Sequence, residues 1–396
     1  MVLFPLLGVC KPAAAMAPYA SDTIFLFMGA FILAAGVTKW GLDRRIALFV
    51  MSCIGATPKK IVFGIMLTTG TLSAFMSNTA CAAMMVPVAI ALVNLVHSTN
   101  DPNDKEAAAR EHRFTICLLL ALAYSASIGG MATLIGSPPN GIYMRFMEQT
   151  YGTTVSIVDW MKVGVPVAVV MFLVAYFVLA NIMFRDMGGE VPGGREWVKK
   201  ELAGMGKMSR GEVAIGLCFL IAAILWFTGA AIRGIEFDGC RPFRFLNDSV
   251  IAMMMGVISF LIPVDDKGET AMDWDTANRE ISWDVLLLFG GGLSLAAAIQ
   301  STGVAALIGA QVTVLSGAPF WALLLGVVTL VTFATGVTSN TALAAMMMPL
   351  LAAVCSALNL PAQPVLFATA LAASAAFILP ISTPPNAIVF GTGKLR

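Results

Sequence analysis

The sequence has few charged residues, and this shortage decides its class. Asp, Glu, Lys and Arg make up only 12% of the chain, whereas 58% of residues are hydrophobic and the mean hydropathy is +0.85. Since about a quarter of the residues in an ordinary soluble domain are charged, a soluble globular protein is excluded. Apolar runs of membrane-spanning length recur along the chain. They predict an all-α polytopic membrane protein.

Ionisable side chains are missing altogether from three long stretches. Asp, Glu, Lys, Arg and His do not occur in residues 61–94, 114–144 or 308–393. A proton-coupled carrier normally needs a titratable group in its pathway, so protons are a poor coupling ion here. Both histidines, His97 and His112, fall in a charged segment, and we expect them to be solvated.

The cysteines lack the spacing of metal ligands, and the net charge of +1 indicates no polyanionic partner such as nucleic acid. Six of the seven lie in or beside apolar segments, and we interpret them as small apolar side chains. These six are Cys10, Cys53, Cys81, Cys117, Cys218 and Cys355.

Against this apolar background, one polar motif occurs twice, 262 residues apart (339 minus 77). The first copy reads SNTACAAMMVP, from Ser77 to Pro87, and the second reads SNTALAAMMMP, from Ser339 to Pro349. Each copy is followed by a Pro-Pro-Asn motif, SPPN from 137 to 140 and TPPN from 383 to 386. Polar groups are costly in an apolar setting, so chance is a poor explanation for the repeat.

The two motifs interrupt predicted membrane helices in different ways. Each SNT triplet separates two apolar segments that are each barely long enough to cross a bilayer. This pattern predicts re-entrant helical hairpins at 61–97 and 319–358. Two successive prolines remove amide donors and push the preceding residue out of helical geometry. The helices at 114–150 and 364–393 are therefore predicted to be broken.

The remaining segments complete a four-part division of the chain. The parts are scaffold and amphipathic helix at 1–60, first transport elements at 61–210, further scaffold at 211–318, and second transport elements at 319–396. Predicted spans are 22–40, 158–184, 213–232, 248–262 and 285–300. An amphipathic helix is predicted at 42–53 and an interfacial helix at 195–210, and predicted charged loops are 100–113 and 265–284.

The orientation of the two halves follows from counting crossings. Five crossings separate the starts of the two repeats, and an odd number makes the repeat inverted, which is typical of secondary transporters. One set of loops holds 18 of the 24 Lys and Arg residues. The positive-inside rule makes that side cytoplasmic, so the first hairpin is predicted to enter from the cytoplasm and the second from outside.

The polar motifs favour ion chemistry. Polar residues in membrane helices often only hydrogen-bond a neighbouring helix, but four motifs duplicated as matched pairs argue against that reading. Hydroxyl, amide and carbonyl oxygens suit a hard cation such as Na+, and helix N-termini suit an oxyanion. With no basic side chain nearby, bound cations must balance the charge of the anion. The sequence therefore predicts sodium-coupled anion transport.

Two alternatives were weighed against transport of this kind. An enzyme is disfavoured because GGGLSLA, at 290–296, lacks a complete nucleophile turn and no histidine lies at membrane depth to activate Ser294. No phosphate-binding loop for an ATP-driven pump is present. The other alternative is a different ion transporter of similar inverted-repeat build.

The paired SNT triplets, each followed by a Pro-Pro-Asn break, resemble the divalent-anion/sodium symporter family of di- and tricarboxylate transporters. The resemblance covers nearly the whole chain. It implies one sodium site formed by Ser73, Ser77, Asn78 and the backbone carbonyl of Gly136, and another formed by Thr335, Thr338, Asn340 and the backbone carbonyl of Ser382. It also implies substrate contacts from Asn78, Thr79, Ser137, Pro138, Ser339, Asn340, Thr341, Thr383 and Pro384.

The resemblance also implies how such a protein works. It implies elevator-type motion of a transport domain, a homodimer, and a place in the bacterial cytoplasmic membrane. Pro-Pro-Asn at both breaks resembles members that carry C4-dicarboxylates such as succinate, fumarate or malate, and the hydroxyls of Ser73 and Thr335 favour symport. The alternatives are sodium-independent exchange and transport of citrate, sulfate or another anion. Members of the family have further helices before Asp22 and after the last break, so a chain shortened at both ends is expected.

Overall fold

The protein is built from helices throughout the part described by the computed structural model. The described residues are 2–55, 57–99, 104–188, 194–236, 241–266, 268–304, 307 and 317–395. Within them the only β-type pairing is an isolated bridge between Pro263 and Thr270.

The helices of the first half run from α1 to α10. They are α1 (Leu3–Leu6), α2 (Pro12–Met16), a 3-10 turn (Ala17–Ala20), α3 (Asp22–Lys39), α4 (Leu42–Ile54), α5 (Pro58–Ser73), α6 (Asn78–Thr99), α7 (Lys105–Gly130), α8 (Pro138–Tyr151), α9 (Ile157–Phe177) continued by a π-helix (Val178–Met183), and α10 (Gly194–Gly204).

In the second half, the described residues form eight further helices. They are α11 (Arg210–Arg233), α12 (Asp248–Ser259), α13 (Trp274–Glu280), α14 (Trp283–Ser301), α15 (Phe320–Thr335), α16 (Asn340–Ala357), α17 (Ala362–Ser374) and α18 (Pro384–Phe390).

Several of these helices are long and apolar enough to cross a bilayer. Among the described residues there are 6 such helices, or up to 7 if α13 and α14, bent by 55° at their junction, form one span. The most apolar of them is α9 with its π-helical extension. Only 22% of its most hydrophobic segment is buried inside the protein. An apolar surface left outside the protein core is what a lipid-facing helix requires. The prediction of a multi-pass membrane protein is confirmed.

Four helix pairs carry the repeated motifs. We call α5 with α6 the first SNT pair and α7 with α8 the first PPN pair. Likewise, α15 with α16 is the second SNT pair and α17 with α18 the second PPN pair.

The two halves interlock through these pairs. The first helix of each PPN pair packs on both helices of its own SNT pair, so α7 lies against α5 and α6, and α17 against α15 and α16. The second helix crosses to the other half: α8 packs on α16 and α17, and α18 packs on α6 and α7. Each motif is therefore surrounded by residues from both repeats.

The predicted loop at 100–113 is largely wrong, because α7 already begins at Lys105. The Asp104 carboxylate accepts hydrogen bonds from the amides of Glu106 and Ala107 at 2.9 and 3.1 Å, which caps the helix. An ion pair between Glu106 and Arg110, four residues apart, supports the first turns. Residues 100–103 lie outside the described part.

Helix α7 also ends earlier than predicted, at Gly130 instead of Gly136. Glycine is a weak helix former, and two of them, Gly129 and Gly130, stand together here. A β-carbon at Gly129 would collide with the backbone of Gly70 in α5. The glycines therefore allow α5 and α7 to touch at the point where the helix stops.

The predicted span at 248–262 is shorter than expected, since α12 has 12 residues and ends at Ser259. The chain then turns back on itself: the amides of Ala271 and Met272 donate to the carbonyls of Ile262 and Ser259 at 2.9 and 3.0 Å. A helix of this length rises only about 18 Å. The crossing count that indicated inverted halves therefore stays a prediction.

The predicted acidic loop at 265–284 contains a short helix, so that prediction is also wrong in part. The Asp273 side chain accepts from the amide of Thr276 at 2.8 Å and starts α13 at Trp274. The predicted amphipathic and interfacial helices are present as α4 and α10. Phe49 in α4 is 60% exposed, which suits a helix lying in the membrane surface.

Candidate functional site

The first SNT triplet lies where α5 ends and α6 begins. The Ser77 hydroxyl accepts the amide hydrogen of Ala80 at 3.1 Å, which starts α6 at Asn78. Ser73, the last residue of α5, is fully buried and faces the Asn78 side chain, with its Oγ 2.6 Å from Asn78 Oδ1. The same Oγ lies 2.7 Å from the carbonyl oxygen of Ala126 in α7.

This first cluster has more oxygens than hydrogens. The end of the Asn78 amide that meets Ser73 is also 3.1 Å from the carbonyl oxygen of Ala126 and 3.2 Å from that of Gly136. The single hydroxyl hydrogen of Ser73 can serve only one of its neighbours. The rest are satisfied if the amide turns over to present its nitrogen, or if a cation sits among the oxygens. Such a group of acceptors is a good ligand set for a hard cation.

The second SNT triplet repeats this arrangement. The Thr335 Oγ1 lies 2.7 Å from Asn340 Oδ1 and 2.6 Å from the carbonyl oxygen of Ala373 in α17. Thr335 is fully buried, and Ser339 caps α16 through the amide of Ala342. The hydroxyl, amide and carbonyl groups therefore occur in the same roles in both clusters.

A threonine that the sequence analysis did not single out closes the first break. Thr133, which is 1% exposed, donates its hydroxyl hydrogen to the carbonyl of Ala74, just after α5. The amide of Gly136 donates to the same hydroxyl at 3.2 Å. Thr133 thus connects the SNT turn to the residue whose carbonyl points at Asn78.

Gly130 leaves room for the first cluster. A β-carbon at this position would collide with the Asn78 amide and would lie 2.9 Å from the carbonyl oxygen of Gly136. Any larger side chain would therefore occupy the space among the cluster oxygens. Apart from the glycine itself, nothing in the sequence indicates this role.

The predicted sodium ligands fall into two groups. Ser73, Asn78 and Gly136 meet in the first cluster, and Thr335 and Asn340 meet in the second. Three others use their hydroxyl groups locally, although the ligand predicted at Ser382 is its backbone carbonyl and stays a prediction. Ser77 caps α6, Thr338 is exposed and donates to the carbonyl of Ala334 at 2.7 Å, and the Ser382 hydroxyl lies 2.6 Å from the carbonyl of Leu379.

The predicted substrate-binding residues differ in their exposure. Thr79, Ser339 and Pro384 are exposed, Asn78, Pro138 and Asn340 are half-buried, and Ser137, Thr341 and Thr383 are buried. The Ser137 hydroxyl is 2.8 Å from that of Ser374, a partner that sequence reasoning missed.

The enzyme alternative finds no support in the surroundings of Ser294. Its hydroxyl is buried, while His97 is exposed and lies 2.9 Å from Glu111. His112 is exposed as well. The prediction that both histidines are solvated is confirmed.

Comparison with known proteins decides the family. The model of the family described as "Sodium:sulfate symporter transmembrane region" matches residues 1–396. The chain belongs to this family. The family is described as one of symporters, which agrees with the expectation of a transporter in place of an enzyme.

Relatives with assigned functions lie within the same family. The chain is 36% identical over 319 residues to the sodium-dependent dicarboxylate transporter SdcS of Staphylococcus aureus strain USA300, covering 80% of this chain and 60% of the relative. The same identity and coverage hold for SdcS of strain MSSA476. The chain thus spans 60% of the length of these curated relatives.

Proposed function

We propose that this family member is a sodium-coupled carrier of small dicarboxylates in the bacterial cytoplasmic membrane. The observation that carries the proposal is the pair of matched oxygen clusters, around Asn78 and around Asn340. In each cluster a hydroxyl oxygen lies within 2.7 Å of both an asparagine side-chain amide and a backbone carbonyl oxygen. In the second cluster the Thr335 hydroxyl has one hydrogen for two acceptor oxygens, a deficit that a bound cation relieves.

Sodium fits these clusters better than a proton does. Their ligands are neutral oxygens, and the surrounding stretches 61–94, 114–144 and 308–393 hold no ionisable side chain. A proton would need a basic group to bind to at membrane depth. A hard cation needs only oxygens, so we assign one Na+ to each cluster, as cargo that moves with the substrate.

The same lack of charge explains why ion and substrate would move together. A dicarboxylate entering this region meets no Lys or Arg side chain from those three stretches. Its negative charge is then balanced by the bound sodium ions and by the amide and hydroxyl donors of the motifs. Thr79 and Ser339 are polar motif side chains that are exposed and can contact it. Loss of sodium therefore removes the attraction for the anion.

The relatives support dicarboxylates as the substrate class, since SdcS is named a sodium-dependent dicarboxylate transporter. The family description, which names sulfate, gives a second candidate. Succinate and sulfate both carry two negative charges, so the charge argument alone does not separate them. Competition for uptake does.

Further features of the proposal concern movement and assembly. The crossing of α8 and α18 to the opposite repeat supports the four motif pairs moving as one transport body. We propose an inverted repeat with re-entrant hairpins at the SNT pairs, elevator-type motion of this body, and a homodimer. Only 22% and 28% of the most hydrophobic segments of α9 and α11 are buried inside the protein. These helices therefore have apolar surface that can contact lipid or a second copy of the chain.

The test is uptake of labelled succinate into proteoliposomes that contain the purified chain. Inward sodium gradients should drive accumulation, and excess unlabelled fumarate or malate should compete with it. Equal uptake with and without a sodium gradient would support exchange instead. Stronger competition by sulfate than by malate would favour sulfate as the substrate.

A further inference from the structure

The asparagine of each Pro-Pro-Asn motif ties its own break together. Asn140, which is fully buried, donates from Nδ2 to the carbonyls of Gly130 and Thr133 at 3.0 and 2.8 Å. These acceptors lie ten and seven residues before it. They are backbone carbonyls at the end of α7, where no helical amide is available to them.

Asn386 does the same in the second half. Its Nδ2 lies 3.0 and 3.2 Å from the carbonyl oxygens of Ala376 and Leu379, again ten and seven residues before it. It also lies 3.1 Å from the hydroxyl of Ser382. Two asparagines in separate repeats therefore hold the same two positions of their breaks.

These hydrogen bonds act on the ion clusters through the backbone. Asn140 fixes Gly130, whose Cα stands against the Asn78 amide, and it fixes Thr133, whose hydroxyl binds the amide of Gly136. The Gly136 carbonyl is one of the oxygens around Asn78. Asn140 itself makes no hydrogen bond to the cluster side chains within the described residues, so its influence passes through the shape of the break.

The side-chain oxygens of both asparagines indicate that these residues do more than stabilise the fold. Oδ1 of Asn140 and Oδ1 of Asn386 are both buried with no hydrogen-bond partner among the described residues. Burying an acceptor without a partner costs free energy. Both repeats carry this cost at the same position, as expected where a function requires the two donors of the amide.

We propose that Asn140 and Asn386 are positioning residues that set the sodium affinity of the first and second cluster. The inference rests on the proposed function, because it assumes that the clusters bind Na+. It predicts that loss of either amide weakens sodium binding much more than it weakens turnover at saturating sodium. Residues that position metal ligands in this way typically change metal affinity about 10- to 100-fold.

The experiment compares Asn140→Leu and Asn386→Leu with the wild type. Leucine has a similar volume and removes both donors. The control is Thr369→Val, which deletes a fully buried hydroxyl in α17 that donates only to the carbonyl of Val365 at 2.7 Å. Two readouts are taken: the NaCl concentration giving half of the sodium-specific rise in Tm, with KCl as reference, and the sodium dependence of succinate uptake.

Both leucine variants should need about 10-fold or more sodium for half-maximal response, with kcat at saturating sodium and substrate within about threefold of the wild type. The control should leave the sodium response unchanged. If a leucine variant does not fold, Asn140→Asp or Asn386→Asp, which keeps the shape and exchanges the donor for an acceptor, carries the same expectation.

Two results would overturn the inference, and they are distinguishable. A lower Tm or lower kcat with an unchanged sodium requirement would make the asparagines structural only, while the proposed function stands. Absence of any sodium response in the wild type, in Tm and in uptake, would remove the proposed function and the inference with it.

Discussion

The buried hydroxyls of Ser137 and Ser374 lie 2.8 Å apart and join the two halves of the chain. Ser137 belongs to the first break, and Ser374 ends α17 beside the second. Replacing either with alanine leaves the other hydroxyl buried and unpaired, which costs about 1–3 kcal/mol. We expect each single variant to lower the Tm, and the double variant to cost less than the sum of the two.

The matched control uses the residues at the equivalent positions of the two repeats, Ser127 in α7 and Thr383 at the second break. Ser127 and Thr383 are also buried, but neither hydroxyl has a hydrogen-bond partner in the described part of the chain. Removing an unpaired hydroxyl loses no bond, so Ser127→Ala should leave the Tm unchanged or raise it. Equal losses in Ser127→Ala and Ser374→Ala would show that the hydrogen bond is not the source of the effect.

Gly130→Ala should block the first cluster, because its methyl group would lie against the Asn78 amide. We expect uptake to fall by at least about tenfold, on the scale seen when metal ligands are displaced. Gly326→Ala is the control, since a β-carbon at that position in α15 meets no atom within 4 Å. Unimpaired uptake by purified Gly130→Ala protein would argue against a bound ion at this place.

Asp43 gives a pH dependence of stability that is separate from transport. It lies in α4, is 2% exposed, and burial raises the pKa of its carboxyl above the ordinary value of 3.8. Since the folded pKa is raised, the contribution of Asp43 to stability is full at low pH and is lost as the pH rises through the folded pKa. Asp43→Asn should therefore raise the Tm more at pH 8 than at pH 4, because asparagine cannot ionise.

Melting curves of both proteins across this pH range check the point. The backbone amide of Arg44, 2.7 Å from the Asp43 carboxylate, can still donate to the asparagine oxygen. A gain in Tm that is larger at pH 4 than at pH 8 would mean that another group dominates.

The charge argument predicts that succinate competes better than citrate for uptake at pH 7.5. The site region offers no Lys or Arg from the stretches around the motifs, so two negative charges are easier to balance than three. Uptake should also fall with pH as succinate is protonated, roughly between pH 4 and 6. Uptake measured at several pH values should coincide when plotted against dianion concentration, and citrate outcompeting succinate would contradict the argument.

The helices and the motif residues could be predicted from the sequence because their signals are local. Apolar runs determined α3, α11 and α14 closely, and the repeated SNT triplet located both helix junctions. Ser73 and Thr335 were expected to join their asparagines, and each lies within 2.7 Å of one.

What the sequence could not supply were partners distant in the chain. The carbonyls of Ala126 and Ala373 look like any other alanine carbonyl in an apolar run, and only packing of α7 and α17 brings them to the hydroxyls. The Ser137–Ser374 contact spans 237 residues. The predicted start of α7 was wrong for the opposite reason, since the cap at Asp104 is local but lies in a charged segment that is typical of a loop.

The central claim is that the clusters around Asn78 and Asn340 each hold a sodium ion. It is tested most directly by the rise in Tm that NaCl produces over KCl in the purified wild type, Asn78→Ala, Asn340→Ala and the double variant. A ligand that binds only the folded protein raises its Tm. We predict a clear rise for the wild type, a smaller rise at higher sodium for each single variant, and none for a folded double variant. A full sodium-specific rise in the double variant would contradict the claim.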